Sequence, residues 1–277
     1  MSQKMKWSAQ LFVVSLCALA LKVFYSNASP DQLRWILAPT TWLVEILSGR
    51  TFAFESHAGY MSSDHSFLIA ASCAGVNFLI TAFLMLTMRT LFTNRLENVS
   101  WRFIPVATLG AYLTTIGANT VRICLALDLP RVGPVDGSQL HRLEGIVVYF
   151  GFLLGLFLVT EQRATESVWR RLRFPLAIYY VVTLVVPLVN GGYRRGPSFW
   201  QHSGFVLVVP LIVSLLMVMF HRWSISARNK PSFDRVRGSI KRHCGKNQKT
   251  CIRTLNLRSR CKRKAWGVSP RTTRRYC

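Results

Sequence analysis

Six long apolar stretches divide the first 220 residues of this 277-residue chain. An apolar helix needs about 17 to 25 residues to cross the hydrocarbon core of a bilayer, and each stretch is long enough to be predicted as a span. The sequence therefore predicts an all-α fold, a polytopic membrane helix bundle with six transmembrane helices. The six predicted spans are residues 7–25, 66–88, 103–127, 141–160, 174–190 and 203–220.

A seventh apolar stretch, residues 33–48, is shorter and contains Arg34, Pro39 and Glu45. Such a segment is as compatible with a re-entrant or interfacial helix as with a crossing. The number of membrane crossings between residues 26 and 65 is therefore left open. It is either none or two, because the predicted orientation requires an even number.

The net charge of +24 is concentrated at the C-terminus. Residues 228–277 contain 17 Lys and Arg against Asp234 alone, and they lack a helical apolar period. We interpret residues 1–227 as one membrane domain and 228–277 as a disordered cytoplasmic tail held near anionic lipid headgroups. Charge alone gives only non-specific affinity for nucleic acid, so no specific nucleic-acid partner is predicted.

The distribution of Lys and Arg predicts the orientation, because positive residues in short loops are retained in the cytoplasm. With the N-terminus inside, the inner segments hold nine of these residues and the outer segments hold five. The N- and C-termini of this membrane protein are then predicted to be cytoplasmic. A cleaved signal peptide in place of the first span is an alternative that leaves the later spans unchanged.

No two of the seven cysteines have the C-x-x-C spacing. Their positions therefore do not predict a disulfide framework, a redox pair or a structural zinc site. His141 and Glu144 do not form the H-E-x-x-H pattern of a zinc peptidase. The sequence therefore predicts neither a metal nor a cofactor.

Three reactive side chains lie in or beside the predicted spans: Cys73, Arg122 and His141. Ionisable residues are costly at bilayer depth and indicate a functional site by default. In the predicted orientation Cys73 is about 10 Å below the outer surface, Arg122 is near the outer end of its span, and His141 opens the next. All three are expected in the outer leaflet.

The chemistry of these groups is complementary. A thiolate is a nucleophile, an imidazole can take the thiol proton and return it to a leaving amine, and a guanidinium can hold an oxyanion or a carboxylate. Together they indicate acyl transfer on a peptide bond. Substrate-binding candidates of second rank are Ser72, Gly75, Asn77 and Asn119.

Each residue also has a purely structural interpretation. A cysteine in a membrane helix is most often a small apolar filler, an arginine at a helix end can extend to the headgroups, and a histidine opening a helix can be interfacial. His57 and His65 compete with His141 as the base, and Asp64 or Glu55 could orient either. His202 and His221 are expected to be interfacial.

The motifs Ser72-Cys73-Ala74-Gly75, Asn119-Thr120-Val121-Arg122 and His141-Arg142-Leu143-Glu144-Gly145 occur in this order on successive spans. In this arrangement the chain resembles the exosortase/archaeosortase family. The approach to the cysteine, from Phe52-Ala53-Phe54-Glu55 through Gly59-Tyr60, looks most like the exosortase K branch. The resemblance covers residues 5 to 220, and Ala74 departs from the serine that many relatives carry.

The resemblance implies a multi-pass membrane cysteine protease, or transpeptidase, that removes C-terminal sorting signals from exported proteins. Cys73 would be the nucleophile, His141 the base and Arg122 the electrostatic partner. Exported proteins with a C-terminal sorting helix would be its substrates. The alternative is a non-enzymatic transporter or lipid-binding membrane protein in which Arg122 holds an anionic ligand.

Overall fold

The computed structural model describes residues 3–93, 99–128, 137–161 and 168–228, and these are mostly helical. The side chains of residues 137–141 are outside this description. Residues 1–219 form one compact unit, and beyond them the structure describes only the last turns of α8. The helices are α1 Gln3–Asn27, α2 Arg34–Ser48, α3 Val76–Thr93, α4 Phe103–Asp128, α5 Gly137–Thr160, α6 Val168–Tyr180, α7 Val186–Val189 and α8 Pro197–Arg228.

Five segments are long and apolar enough to cross a membrane: Gln3–Asn27, Ala71–Thr93, Arg142–Thr160, Val168–Val189 and Phe199–Trp223. The number is one fewer than the six expected. Helix α4 has 26 residues but is not among the five, because Asn119, Arg122 and several threonines lower its hydropathy. A five-residue π-helix, Val181–Val185, joins α6 to α7 within the fourth of these segments.

Many large apolar side chains face outward. Phe12 is 67% exposed, Val159 is 86% exposed and Leu216 is 58% exposed. Only 11% of the apolar window in α1 is buried. Such surfaces are not stable in water but suit contact with lipid. Together with the five helices of spanning length, they indicate a membrane protein.

The expectation of an all-α fold was wrong between α2 and α3. Three strands, β1 Phe52–Glu55, β2 Gly59–Ser62 and β3 Leu68–Ile69, form an antiparallel sheet in the order β1-β2-β3. Gly59, at φ +125°, permits the close approach of β3, since a Cβ there would collide with the carbonyl oxygen of Ile69. Strand β3 consists of residues that the apolar pattern had assigned to the second predicted span, residues 66–88.

The interhelical contacts show that the helices alternate in direction. At one end of the bundle, the Trp7 indole donates to the Leu91 carbonyl, and Arg89 pairs with Glu161 at 3.3 Å. The other end brings together the C-terminal parts of α1 and α4 and the N-terminal parts of α3, α5 and α8, which line one cavity. Residue 27 and residue 71 thus lie at the same end of the bundle.

Helix α2 is short, and both of its ends contact the same strand. Near its start, the Arg34 guanidinium lies 4.4 Å from the ring centroid of Phe54. Near its end, the Glu45 carboxylate accepts a hydrogen bond from the Phe52 backbone N–H at 2.8 Å. Fifteen residues extend about 22 Å, less than the hydrocarbon core of about 30 Å.

Candidate active site around Cys73

Cys73 lies in a 3-10 turn, Ala71–Ala74, at the entrance to α3. Its N–H donates to the Ala70 carbonyl at 2.9 Å. Gly75 ends the turn at φ +67°, a left-handed conformation that glycine adopts without strain, and α3 begins at Val76. Cys73 lies within the apolar segment Ala71–Thr93, as expected, but the predicted start of this span at residue 66 was wrong, because strand β3 and this turn precede the helix.

Asn119 of α4 holds the Cys73 turn in place. Its fully buried side-chain amide donates to the Cys73 carbonyl oxygen at 2.6 Å and accepts a hydrogen bond from the Tyr149 hydroxyl. A Cβ on Gly75 would lie 2.8 Å from the Asn119 nitrogen. The glycine therefore allows both the left-handed turn and the close approach of Asn119.

Arg122 lies one turn beyond Asn119 on α4, and its guanidinium is held by α5. Its Nη1 donates to the Tyr149 hydroxyl at 3.2 Å, and its Cζ lies 5.5 Å from the centre of the Tyr149 ring. The guanidinium interacts electrostatically with Cys73 and Glu144. Gly145 leaves room for it, since a Cβ at that position would lie 3.2 Å from Arg122 Nε.

These groups surround a cavity of about 260 Å³. Ser72 and Gly75, on either side of Cys73, are among its lining residues. Cys73 itself is half-buried and is not among the described lining residues, but it lies within electrostatic range of three of them, Tyr25, Arg122 and Tyr149. The other lining residues are Val76, Asn77, Phe78, Thr81, Arg142, Gly145, Ile146, Tyr179, Thr183, His202 and Val206.

The structure thus brings Cys73 and Arg122 together at one end of the bundle. Ser72, Gly75 and Asn77 line the same cavity, whereas Asn119 lies behind the lining and positions the turn. His141 is on α5, four and eight residues before Gly145 and Tyr149, so its backbone position shares roughly their helical face. Its side chain lies outside the described residues.

The competing histidines of the outer segment are elsewhere. His57 is 91% exposed, with its Nδ1 3.9 Å from an Asp31 oxygen, and His65 follows Asp64 in a turn beside the sheet. Neither is among the described residues that line the cavity. The Asp64 carboxylate accepts hydrogen bonds from Ser62 and Ser66, which lower the pKa of Asp64 below its usual range. Asp64 therefore stabilises the turn between β2 and β3.

The sequence analysis did not assign Tyr25, Tyr149 or His202 to the site, although all three line the cavity. The position of Tyr149 two turns after His141 was a signal for an α5 residue facing the site. His202 had been expected to be interfacial, yet it is half-buried and lines the cavity. Only the tertiary arrangement of α1, α5 and α8 identifies Tyr25 and His202.

Comparison with protein-family models, with curated proteins and with solved structures finds no match for this chain. The chemistry of the site therefore rests on its own residues. A thiol near a guanidinium that lines a cavity is suited to nucleophilic attack on a carbonyl carbon. Within the described ranges, no group of three or more His, Cys, Asp and Glu residues could hold a metal ion.

Proposed function

We propose that this protein is a membrane-embedded cysteine peptidase or transpeptidase that removes C-terminal sorting helices from exported proteins. The observation that carries the proposal is the fixed Cys73 turn, held by Asn119, beside the Arg122 guanidinium at one cavity. The resemblance to the exosortase/archaeosortase family, in the order and spacing of the three motifs, supports the same conclusion.

In the proposed reaction, the Cys73 thiol transfers its proton to His141 and the sulfur attacks the scissile carbonyl of the substrate. Arg122 stabilises the negative charge that develops on the carbonyl oxygen. The C–N bond then breaks, the leaving amine takes the proton from His141, and a thioester remains on Cys73. Water or an amine resolves this thioester.

We place the site at the outer face of the inner membrane, with both termini in the cytoplasm. The positive residues of the short loops support this orientation. The contacts of α2 support it too, because a helix with both ends against one strand does not carry the chain across the bilayer. The chain between the end of α1 and the start of α3 then stays on the outer side of the membrane.

The proposal is tested by co-expressing the protein with an exported reporter that ends in a short motif, an apolar helix and a basic cluster. Wild type should shorten the reporter, whereas Cys73→Ala, Arg122→Ala and His141→Ala should accumulate precursor. Cys17→Ala and Cys124→Ala are matched controls, since each removes a thiol from α1 or α4 and leaves the Cys73 turn unchanged. Equal processing by the Cys73 variant refutes the proposal.

A transporter or lipid-binding protein is the second candidate, because Arg122 lines a cavity that could also receive an anionic ligand. The two functions differ in their dependence on the thiol. A transporter retains its activity in Cys73→Ala and loses it in Arg122→Ala, whereas a peptidase loses activity in both variants.

A further inference from the structure

A second cavity, of about 460 Å³, adjoins the catalytic cavity. The two share Asn77, Thr183 and His202 in their linings. A reactant bound in the second cavity would therefore approach the thioester site along a polar wall. Lys22 of α1 also lines the second cavity.

His202 is the described imidazole that both cavities share. It is located in the N-terminal part of α8, half-buried, across the cavity from α3 and α5. An imidazole is suited to proton transfer near neutral pH. The acyl-transfer mechanism proposed above uses His141 for the first step and leaves His202 without a role.

Lys22 gives the second cavity a positive charge. Its Nζ donates to the Asn77 side-chain oxygen at 2.7 Å and lies 5.8 Å from the Tyr25 ring centroid. Among the described lining residues of this cavity there is no Asp or Glu. A reactant that carries an anionic group is therefore favoured there over one that is only cationic.

We propose that the second cavity binds the acceptor that resolves the thioester, and that His202 is the base of this second step. The acceptor is a primary amine on a molecule that also bears an anionic group, which is bound near Lys22. This inference rests on the proposed function, since it requires a thioester on Cys73.

The step is balanced without any further reactant. The acceptor nitrogen attacks the thioester carbonyl as His202 takes one N–H proton. The new C–N bond forms, the C–S bond breaks, and the proton passes from His202 to the departing Cys73 thiolate. The enzyme returns to its starting state.

The test uses the full-length protein in detergent micelles and the reporter that wild type processes. Single-turnover kinetics follow release of the sorting helix, and intact-mass spectrometry follows the thioester. In His202→Gln we expect the first release to be retained, the steady-state rate to fall by about 100-fold, and the thioester to accumulate. Hydroxylamine, a strong uncharged nucleophile that needs no base, should restore turnover. His221→Gln is the matched control.

Two results overturn the assignment of His202. An unchanged steady-state rate in His202→Gln would show that His202 is not a base. An equal loss of sorting-helix release in the first turnover and of the steady-state rate would show that His202 does not act specifically in the second step. Failure of the proposed function is distinguishable, because processing would then survive in Cys73→Ala and wild type would form no thioester.

The anionic preference is tested with taurine and ethanolamine, two small primary amines that differ in a sulfonate. We expect wild type to transfer the reporter to taurine at least about 10-fold more efficiently, and Lys22→Gln to lose this difference. A wild-type preference for ethanolamine, or a preference for taurine that survives in Lys22→Gln, overturns the proposed acceptor class.

Discussion

The side-chain amide of Asn119 donates a hydrogen bond to the carbonyl oxygen of Cys73 at 2.6 Å. This bond joins α4 to the turn that carries the thiol, and its donor, the Asn119 side chain, is fully buried. Because the same amide accepts from Tyr149, two helices, α4 and α5, and one turn are joined by a single side chain. The position of the thiol relative to Arg122 is therefore a property of the packed bundle.

Replacing Asn119 by Leu should release the Cys73 turn. The variant leaves the Cys73 carbonyl without its donor and the Tyr149 hydroxyl without its acceptor, which together cost about 1 to 3 kcal/mol. We expect a lower unfolding temperature in detergent, monitored by tryptophan fluorescence, and loss of most reporter processing. Thr115→Val is the control, since the Thr115 hydroxyl is buried but bonds only to Ala111 of its own helix. Wild-type stability and processing in Asn119→Leu would contradict the role of this bond.

Substitution of Gly75 by Ala should be strongly disruptive. The left-handed conformation and the contact with Asn119 at 2.8 Å both oppose a side chain, and the expected loss of stability is about 1 to 3 kcal/mol. Gly151→Ala is the matched control, because a Cβ there meets nothing within 4 Å. Thermal unfolding of the two variants distinguishes them, and equal stability would refute the tight approach of α4 to the turn.

The variant Tyr149→Phe removes the hydroxyl of Tyr149 and keeps its ring, so it tests the contribution of the hydroxyl alone. The ring should still stack on Phe78, at 5.0 Å between centroids, so the loss of stability should be limited to the buried Asn119 oxygen that loses its donor, about 1 to 3 kcal/mol. Arg122 and Asn119 both lose their shared partner, and one such bond of about 1.4 kcal/mol corresponds to about a 10-fold loss of processing rate. The control Tyr180→Phe removes a hydroxyl that bonds to Leu207. An unchanged rate in Tyr149→Phe would show that Arg122 is positioned without Tyr149.

The orientation of α2 is tested by labelling single cysteines introduced at Gln32 and Arg50, in a background whose native cysteines are replaced by alanine. Because both ends of α2 contact β1, we expect a membrane-impermeant maleimide to label both positions from the outer side. Labelling of the two positions from opposite sides of the membrane would show that α2 crosses.

The sequence predicted the helices well where a long apolar run was unbroken, as in α1, α5 and α8. It also placed Cys73 and Arg122 at one end of the bundle, because charge in the short loops constrains the direction of each span. It did not predict the sheet, since short strands depend on their neighbours more than on intrinsic preference. The start of α3 was misplaced for the same reason.

The site itself was predicted only in part. Cys73 and Arg122 carry reactive groups that are rare in membrane segments, so each was conspicuous in the sequence. Asn119 was recognised through its motif, but its hydrogen bond to Cys73 depends on the approach of α4 to the turn. Tyr25 and His202 come from helices distant in sequence, and no local pattern connects them to Cys73.

The most direct test is peptide mapping of the protein isolated with a processed reporter, after rapid acid quenching that preserves thioesters. We predict a hydroxylamine-sensitive adduct of the reporter's new C-terminus on the peptide that contains Cys73, and its absence in Cys73→Ala together with accumulated precursor. Continued processing in Cys73→Ala, with no adduct on Cys73 in the wild type, would contradict the account.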